Sequence, residues 1–503
     1  MSKKVLSLAL WGLEAQLIEV ESDLGGGELG VFSIVGLPDK SVYESRERVR
    51  SAIKSLGLKF PQRKVLVNLA PADFKKQGPS YDLPIAISVL SLISDLKEDF
   101  SQSVFLGELA LNGDLRKING VLALVSYLKS KNIKKVYLPQ ANAAEASLID
   151  GVDVFPVNNL KELYLHLLNK KEIKAAKKIQ FNFTNKKSKY DMKDIKGQQQ
   201  AKRALEIAAA GSHNILMFGP PGSGKTLLAK TLVSILPDLN LNEALEITKI
   251  YSVAACLEDR SLINFRPFRS PHHSASLVSV LGGGSWPRPG EISLAHRGVL
   301  FLDELGEFSR FLLDNLRQPI EDGVINISRS AQSLSFPARF MLVAAMNPCP
   351  CGYFGDKDKK CLCTAAQLAN YNKKISGPIY DRIDIFIEVP RVNFKNLSDQ
   401  ANAESSESIK KRVEKARAIQ RQRFCLNNIF SNSEMSNELI KKFCQIDQAS
   451  EKLLQKAVEK MNLSNRAYFK ILKIARTIAD LRGDENISFS DIAEALQYKT
   501  PLS

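Results

Sequence analysis

Hydrophobic and polar positions change their period several times along this chain. Up to residue 168, short apolar or alternating runs at 17–20, 65–69 and 136–138 are separated by stretches with helical spacing at 81–93 and 121–129. That alternation predicts one α/β domain over residues 1–168. Between 170 and 203 the pattern fades, and twelve Lys or Arg stand against three acidic residues. A charged, weakly periodic stretch reads as a linker, here residues 169–193, with a basic arm that touches nucleic acid as the alternative. From 194 to 395 fully apolar runs alternate with helical segments and Gly-rich connections, which predicts a second α/β domain. Residues 396–503 keep helical spacing almost throughout and predict a helical domain.

Composition agrees with that division. At ~150 residues per domain, 503 residues suit about three. A hydrophobic content of 44% with 25% charged residues supports ordinary cores and excludes wholesale disorder or a disulfide-stapled miniprotein. The apolar runs are too short for a membrane span. Glu14 interrupts the first of them and no small-residue cleavage site follows, so no signal peptide is read and the cytoplasm is the expected location. Lys and Arg exceed Asp and Glu by 70 − 54 = 16, which is compatible with a polyanion partner. Seven cysteines, four of them between Cys349 and Cys363, suggest reduced thiols or a metal site rather than a disulfide framework.

The sharpest chemical signal follows the apolar run 214–218. It reads Gly219-Pro220-Pro221-Gly222-Ser223-Gly224-Lys225-Thr226, and a helical segment comes next. Glycines let backbone N–H groups close around phosphate oxygens, and the helix start adds its positive end. Lys225 would reach the terminal phosphates and Thr226 would ligate Mg²⁺, so ATP with Mg²⁺ is the expected ligand. Downstream, the apolar run 299–302 ends in Asp303 and Glu304. Asp303 is placed to hold Mg²⁺ through water and Glu304 to polarise the attacking water. A second apolar strand, 340–346, ends at Asn347, whose carboxamide could orient that water or simply form a turn before Pro348.

Asn347 sits where ring-forming ATPases of the AAA+ class carry a polar sensor, and the chain resembles that class. In GPIYDRIDI (377–385) the resemblance places Arg382 as an arginine finger directed at a neighbouring subunit's γ-phosphate. Ser464 is expected to cap a helix whose first turn carries Arg466, the position of a second sensor in this class. Surface or structural ion pairs are the alternative for both arginines. PHHSAS (271–276), AAMNPCPCG (344–352) and two insertions further resemble the magnesium-chelatase-like ATPases, specifically the ComM/YifB family of bacterial DNA branch-migration motors linked to natural transformation. Adjacent His272 and His273 are expected on opposite sides of an extended chain, with a structural role. One insertion reads as a hairpin, with Ile325 and Ile327 opposite Leu334 and Phe336 and Arg329 at its tip.

The resemblance implies an AAA+ core at 194–395 with magnesium-chelatase-type insertions and a C-terminal helical lid at 396–503. It also implies a homo-oligomer, a hexamer, that acts as a helicase or branch-migration ATPase on branched, forked or single-stranded DNA in recombination. Hairpins facing the ring's pore would make Arg329 and Arg339 DNA contacts, with local capping or acid pairing as the alternative for each. The rival activities are a motor that drives metal insertion into a porphyrin and an ATP-dependent protease. Basic net charge suits DNA better than a tetrapyrrole.

Cys349, Cys351, Cys361 and Cys363 form two C-x-C pairs in the loop 349–363. They can close a tetrahedral site for structural Zn²⁺, or remain four free thiols. Residues 1–168 resemble the Lon protease domain, an α+β fold, with Ser80 on the nucleophile position. A serine is inert without a base, and Leu122 stands where the Lon lysine would be. The domain is therefore expected to be a scaffold rather than a protease.

Overall fold

The computed structural model describes residues 3–26, 30–72, 75–178, 189–284, 286–328, 333–356, 359–374, 377–391, 404–427, 429–461 and 463–499. Two compact units form: one from Met1–Phe183 with Ala244–Ile263, the other from Thr184–Glu243 with Asn264–Ser503. Among the described residues no helix is long and apolar enough to cross a membrane.

The first unit is built on a seven-stranded mixed sheet. From edge to edge its strands are Phe32–Val35, Lys64–Ala70, Glu14–Gly25, Lys3–Trp11, Ser103–Phe105, Lys135–Pro139 and Asp153–Val157. Alternate residues Ile18, Val20 and Ser22 of one long strand point into the core, the period-2 pattern of a half-buried strand. The helix Asp82–Ile93 is apolar all round and almost wholly buried, as a central helix must be. Its first residue, Asp82, is fully buried, and Arg48 grips both its carboxylate oxygens at 2.6 and 3.0 Å. Burial raises this carboxyl's pKa while Arg48 lowers it. Ser80 sits in the short turn Pro79–Tyr81 just before that helix.

Residues 244–263 were expected in the second α/β domain, yet they belong to the first unit. The Ser252 hydroxyl donates to the buried Glu145, and the Gly120 amide donates to the Ser252 carbonyl at 3.2 Å. Leu122, buried, also gives its backbone N–H to Glu145 at 2.9 Å. The reason is chemical: Ile247 and Ile250 are buried on this excursion of the chain, and Glu145 is buried and needs donors.

The second unit holds a five-stranded, all-parallel sheet in the order Phe268–Arg269, Val299–Leu302, Met341–Met346, Ile215–Phe218, Ile385–Glu388. Its apolar runs are continuous because both faces are covered. Ile215, Met217, Phe301 and Val343 enter one hydrophobic core, while Leu216, Leu300, Leu302 and Leu342 enter another. The first of these cores also contains Ile409, Ile471, Ile474 and Ile492 from the C-terminal helices Ser406–Arg423, Asn465–Arg482 and Phe489–Gln497. The helical C-terminus and the sheet thus share one core and form one unit. Ser464 caps its helix as expected, accepting the Ala467 N–H at 3.3 Å.

Within those helices Arg476, 2% exposed, meets Asp480, 1% exposed, at 3.0 Å, and Arg423 pairs with the same carboxylate. Removing the acid would strand buried guanidinium charge. Asp480→Ala is expected to cost about 3–5 kcal/mol, read as a lowered denaturant midpoint, and a loss below about 1 kcal/mol would contradict this reading.

Candidate nucleotide-binding site

The phosphate loop connects strand Ile215–Phe218 to helix Lys225–Leu232. At Gly219 a Cβ would lie 2.2 Å from the Val389 carbonyl oxygen, so no side chain fits there. Gly224 takes φ +92° directly before the helix, a conformation that glycine adopts without strain. The Lys225 ammonium is buried and folded back on the loop, donating to the Gly219 and Pro220 carbonyls at 2.7 and 2.9 Å. It also lies 3.3 Å from the Asn347 side-chain oxygen. Burial lowers the Lys225 pKa, against Asp303 and Glu304, which raise it. Thr226 donates its hydroxyl to Asp303 at 2.8 Å. The structure therefore brings Lys225, Thr226, Asp303 and Asn347 into one constellation, and Glu304 follows Asp303 with its side chain 56% exposed.

Two further residues stand close to this constellation: His273, expected in a structural role, and Tyr371, which no local sequence signal marks. His273 lies 4.0 Å from the Glu304 carboxylate, and its ring centroid is only 4.1 Å from that of His272. The expectation that the two rings point apart is thus corrected: the chain turns at His273 and Ser274, and the His272 ring is held by the Ser274 hydroxyl at 2.7 Å. Tyr371 donates its hydroxyl to the Asn347 carbonyl at 3.1 Å and so braces the backbone at Asn347.

The loop after Asn347 gathers all four clustered cysteines, whose sulfur atoms lie within 4.8 Å of one another. Cys349–Cys361 and Cys351–Cys361 are separated by 3.7 and 3.6 Å, and Cys349–Cys351 by 3.3 Å. Zinc bonded to four sulfurs at ~2.3 Å spaces them about 3.8 Å apart, so this donor set fits that ion. Backbone N–H groups of Tyr353 and then Leu362 lower the Cys351 thiol's pKa, whereas burial and the neighbouring sulfurs raise those of Cys361 and Cys363 against the backbone N–H groups they accept, so a thiolate forms first at Cys351. Gly352, at φ +83°, packs the loop on the phosphate loop: a Cβ there would lie 2.7 Å from the Pro221 ring.

The two predicted nucleotide arginines lie together elsewhere in this unit. Arg382 follows the short helix Gly377–Tyr380, as expected, and pairs with Glu321 at 2.8 Å. Arg466 approaches the same Glu321 oxygen at 3.4 Å. Both line a cavity of about 810 Å³ to which none of residues 219–226, 303, 304 and 347 contributes. Asn214, at the start of the phosphate-loop strand, ties Arg382 in place. Its side chain donates to the Arg382 carbonyl at 3.0 Å and accepts from the Leu342 N–H at 2.9 Å. Its own N–H goes to Asp384 at 2.9 Å. Burial alone would raise the Asp384 pKa, but the Lys470 ammonium and His213 hold it well below the usual carboxylate range.

The predicted hairpin is present as Val324–Ser328 paired with Ser333–Pro337, and Ile325 faces Phe336 and Ile327 faces Leu334. Arg329 lies outside the described residues. Arg339 sits at the hairpin's foot rather than near its tip, 3.5 Å from Glu434, so the local acid pairing is the arrangement observed.

Parallel strand order, glycine loop and paired acids at one sheet edge define a P-loop ATPase core. Residues 191–397 match the family described as magnesium chelatase, subunit ChlI. Residues 20–142 match subunit ChlI of Mg-chelatase and residues 403–499 its C-terminal family. The chain is 43% identical to competence protein ComM of Haemophilus influenzae, over 98% of this chain and 97% of that protein. It is 41% identical to YifB of Escherichia coli, over 98% and 96%. A magnesium-chelatase subunit ChlI homolog of Methanocaldococcus jannaschii is 22% identical over 62% of this chain and 84% of that protein. The chain belongs to the ComM/YifB family of magnesium-chelatase-like AAA+ ATPases.

Proposed function

We propose that this protein is a cytoplasmic, hexameric ring ATPase that moves or branch-migrates DNA in recombination and natural transformation. The observation that carries the assembly is the division of the charged groups. Lys225, Thr226, Asp303 and Asn347 meet at the phosphate loop, whereas Arg382 and Arg466 meet at Glu321 in a cavity to which the loop contributes nothing. Charge developing on the γ-phosphate calls for cations beyond Lys225 and Mg²⁺, and because Arg382 and Arg466 lie away from their own subunit's loop they are assigned to a neighbour's site. The DNA assignment is supported by nearly full-length likeness to a protein named for competence and by the chain's excess of 16 positive charges.

Each residue then has a task. Lys225 leaves the carbonyls of Gly219 and Pro220 for the terminal phosphates, a charged acceptor that binds an ammonium more strongly. Thr226 and Asp303 would hold Mg²⁺, which neutralises phosphate charge. Glu304 accepts a proton from the attacking water and the Asn347 carboxamide orients it. Arg382 and Arg466 of the adjoining subunit stabilise the charge that develops on the transferred group. On the pore side, Arg329 contacts DNA phosphates. Arg339, paired with Glu434, is assigned to holding the hairpin's foot rather than to DNA.

The four cysteines hold structural Zn²⁺, with no open position for chemistry. Metal analysis should return about one zinc per chain; a fully folded, metal-free protein would contradict this. The first domain is a non-proteolytic scaffold of Lon type: Leu122 is buried, and Asp82, just after Ser80, is spent on an ion pair with Arg48. A porphyrin-metallation motor is disfavoured because the likeness to ComM and YifB spans the whole chain, while the ChlI homolog covers 62% of it.

Lys225→Ala should abolish ATP turnover, measured as phosphate release, and unchanged turnover would refute the assignment of the loop. The deciding assay is ATP-dependent branch migration on a synthetic four-way junction with Glu304→Gln as the control. Movement by the natural protein and none by the variant is expected. DNA binding that is absent, or that does not weaken as salt rises, would overturn the reading.

A further inference from the structure

We propose that Glu321 is a positioning residue that links the nucleotide of a neighbouring subunit to the hairpin at residues 324–337, an inference that rests on the ring reading above. One oxygen of Glu321 is shared by two guanidinium groups from distant parts of the chain, Arg382 at 2.8 Å and Arg466 at 3.4 Å. The Arg382 side chain is 11% exposed, donates to the Pro378 carbonyl at 2.6 Å, and has a buried Nε that finds no hydrogen-bond partner among the described residues. A finger that must reach another subunit is here retracted onto an acid of its own. The adjoining cavity of about 810 Å³ gives both arginines room to swing out.

Glu321 is coupled to the hairpin by the backbone. It lies in helix Arg317–Asp322, which ends at Gly323 with φ +67°, and the hairpin's first strand starts at Val324. The Gly323 carbonyl accepts the Ala338 N–H at 2.8 Å, closing the hairpin's foot. A Cβ on Gly323 would lie 2.7 Å from the Arg339 side chain, so the helix end, the hairpin's foot and Arg339 meet at this glycine.

The two tethers differ in strength. The Glu321–Arg466 pair, 44% and 60% exposed, contributes little and gives way readily, while Arg382, 11% exposed, is the firmer of the two. Phosphate offers guanidinium a bidentate partner of higher charge. When a neighbour's γ-phosphate takes Arg382 and Arg466, Glu321 loses both tethers, and the helix end and hairpin foot it anchors are freed to shift. Hydrolysis returns the arginines to Glu321 and resets the hairpin. Glu321 touches no reacting atom in this scheme and acts through the arginines.

The test uses full-length natural protein, Glu321→Gln and Glu321→Asp, with ATP and a four-way junction. Glu321→Gln should keep its melting temperature within about 2 °C and its DNA-free kcat. Its KM for ATP should fall about threefold, because no acid competes for the arginines. DNA stimulation of hydrolysis, and branch migration per ATP consumed, should drop at least about fivefold. Glu321→Asp, too short to bridge both arginines, should lie between. A merely structural Glu321 would lower the melting temperature and leave the KM and the coupling in place; that result overturns the inference. If natural protein hydrolyses ATP equally well as a monomer, the ring reading fails instead, and this inference with it.

Discussion

Thr226 can donate to Asp303, and Lys225 can approach Asn347, because three parallel strands end nearly level with one another. Phe218 pairs with Met346 and Leu302 with Ala344, so the residues that follow these strands emerge at one edge of the sheet. A slip of one residue would send every side chain to the opposite face and break the site. The continuous apolar runs that look uninformative in isolation fix this register, since each strand must fill a core on both faces. Asn214 extends the same constraint to the far end of the phosphate-loop strand, where it binds the Arg382 segment and the strand Met341–Met346 together.

From that edge, charge is distributed deliberately. One cation, Lys225, waits on carbonyls, and two others, Arg382 and Arg466, wait on a carboxylate. In both arrangements a cation rests on a protein acceptor that a more highly charged phosphate can replace. Under the proposed ring, placing the two sets apart would leave a subunit incomplete by itself and tie catalysis to assembly. The cysteine loop, packed through Gly352 against Pro221 and joined directly to Asn347, stiffens the same edge.

Much of this was legible in the sequence because the informative residues are contiguous. The glycine loop, the Asp303–Glu304 pair, the hairpin's alternating Ile325 and Ile327, and the Ser464 cap each depend on neighbours within a few positions, and the chain order carries them. What escaped depends on contacts between distant segments. No local pattern reveals that residues 244–263 leave the second unit to supply Ser252 to Glu145. Nor does any local pattern show that Glu321 gathers arginines from 382 and 466. His272 and His273 were misjudged for a different reason: alternation holds in a strand, and here the chain turns. The phosphate-loop half of the candidate site was thus readable in the sequence, and the acid that holds its arginine half was not.

The central claim, that each ATP is cleaved between two subunits, is tested most directly by mixing two inactive variants, Lys225→Ala and Arg382→Ala. At an interface where the second supplies an intact phosphate loop and the first an intact arginine, a complete site is restored. Recovery of ATP hydrolysis on mixing, from preparations that have none alone, is the predicted result. If the mixture stays as inactive as its components, while both variants still assemble, the account of a shared site is contradicted.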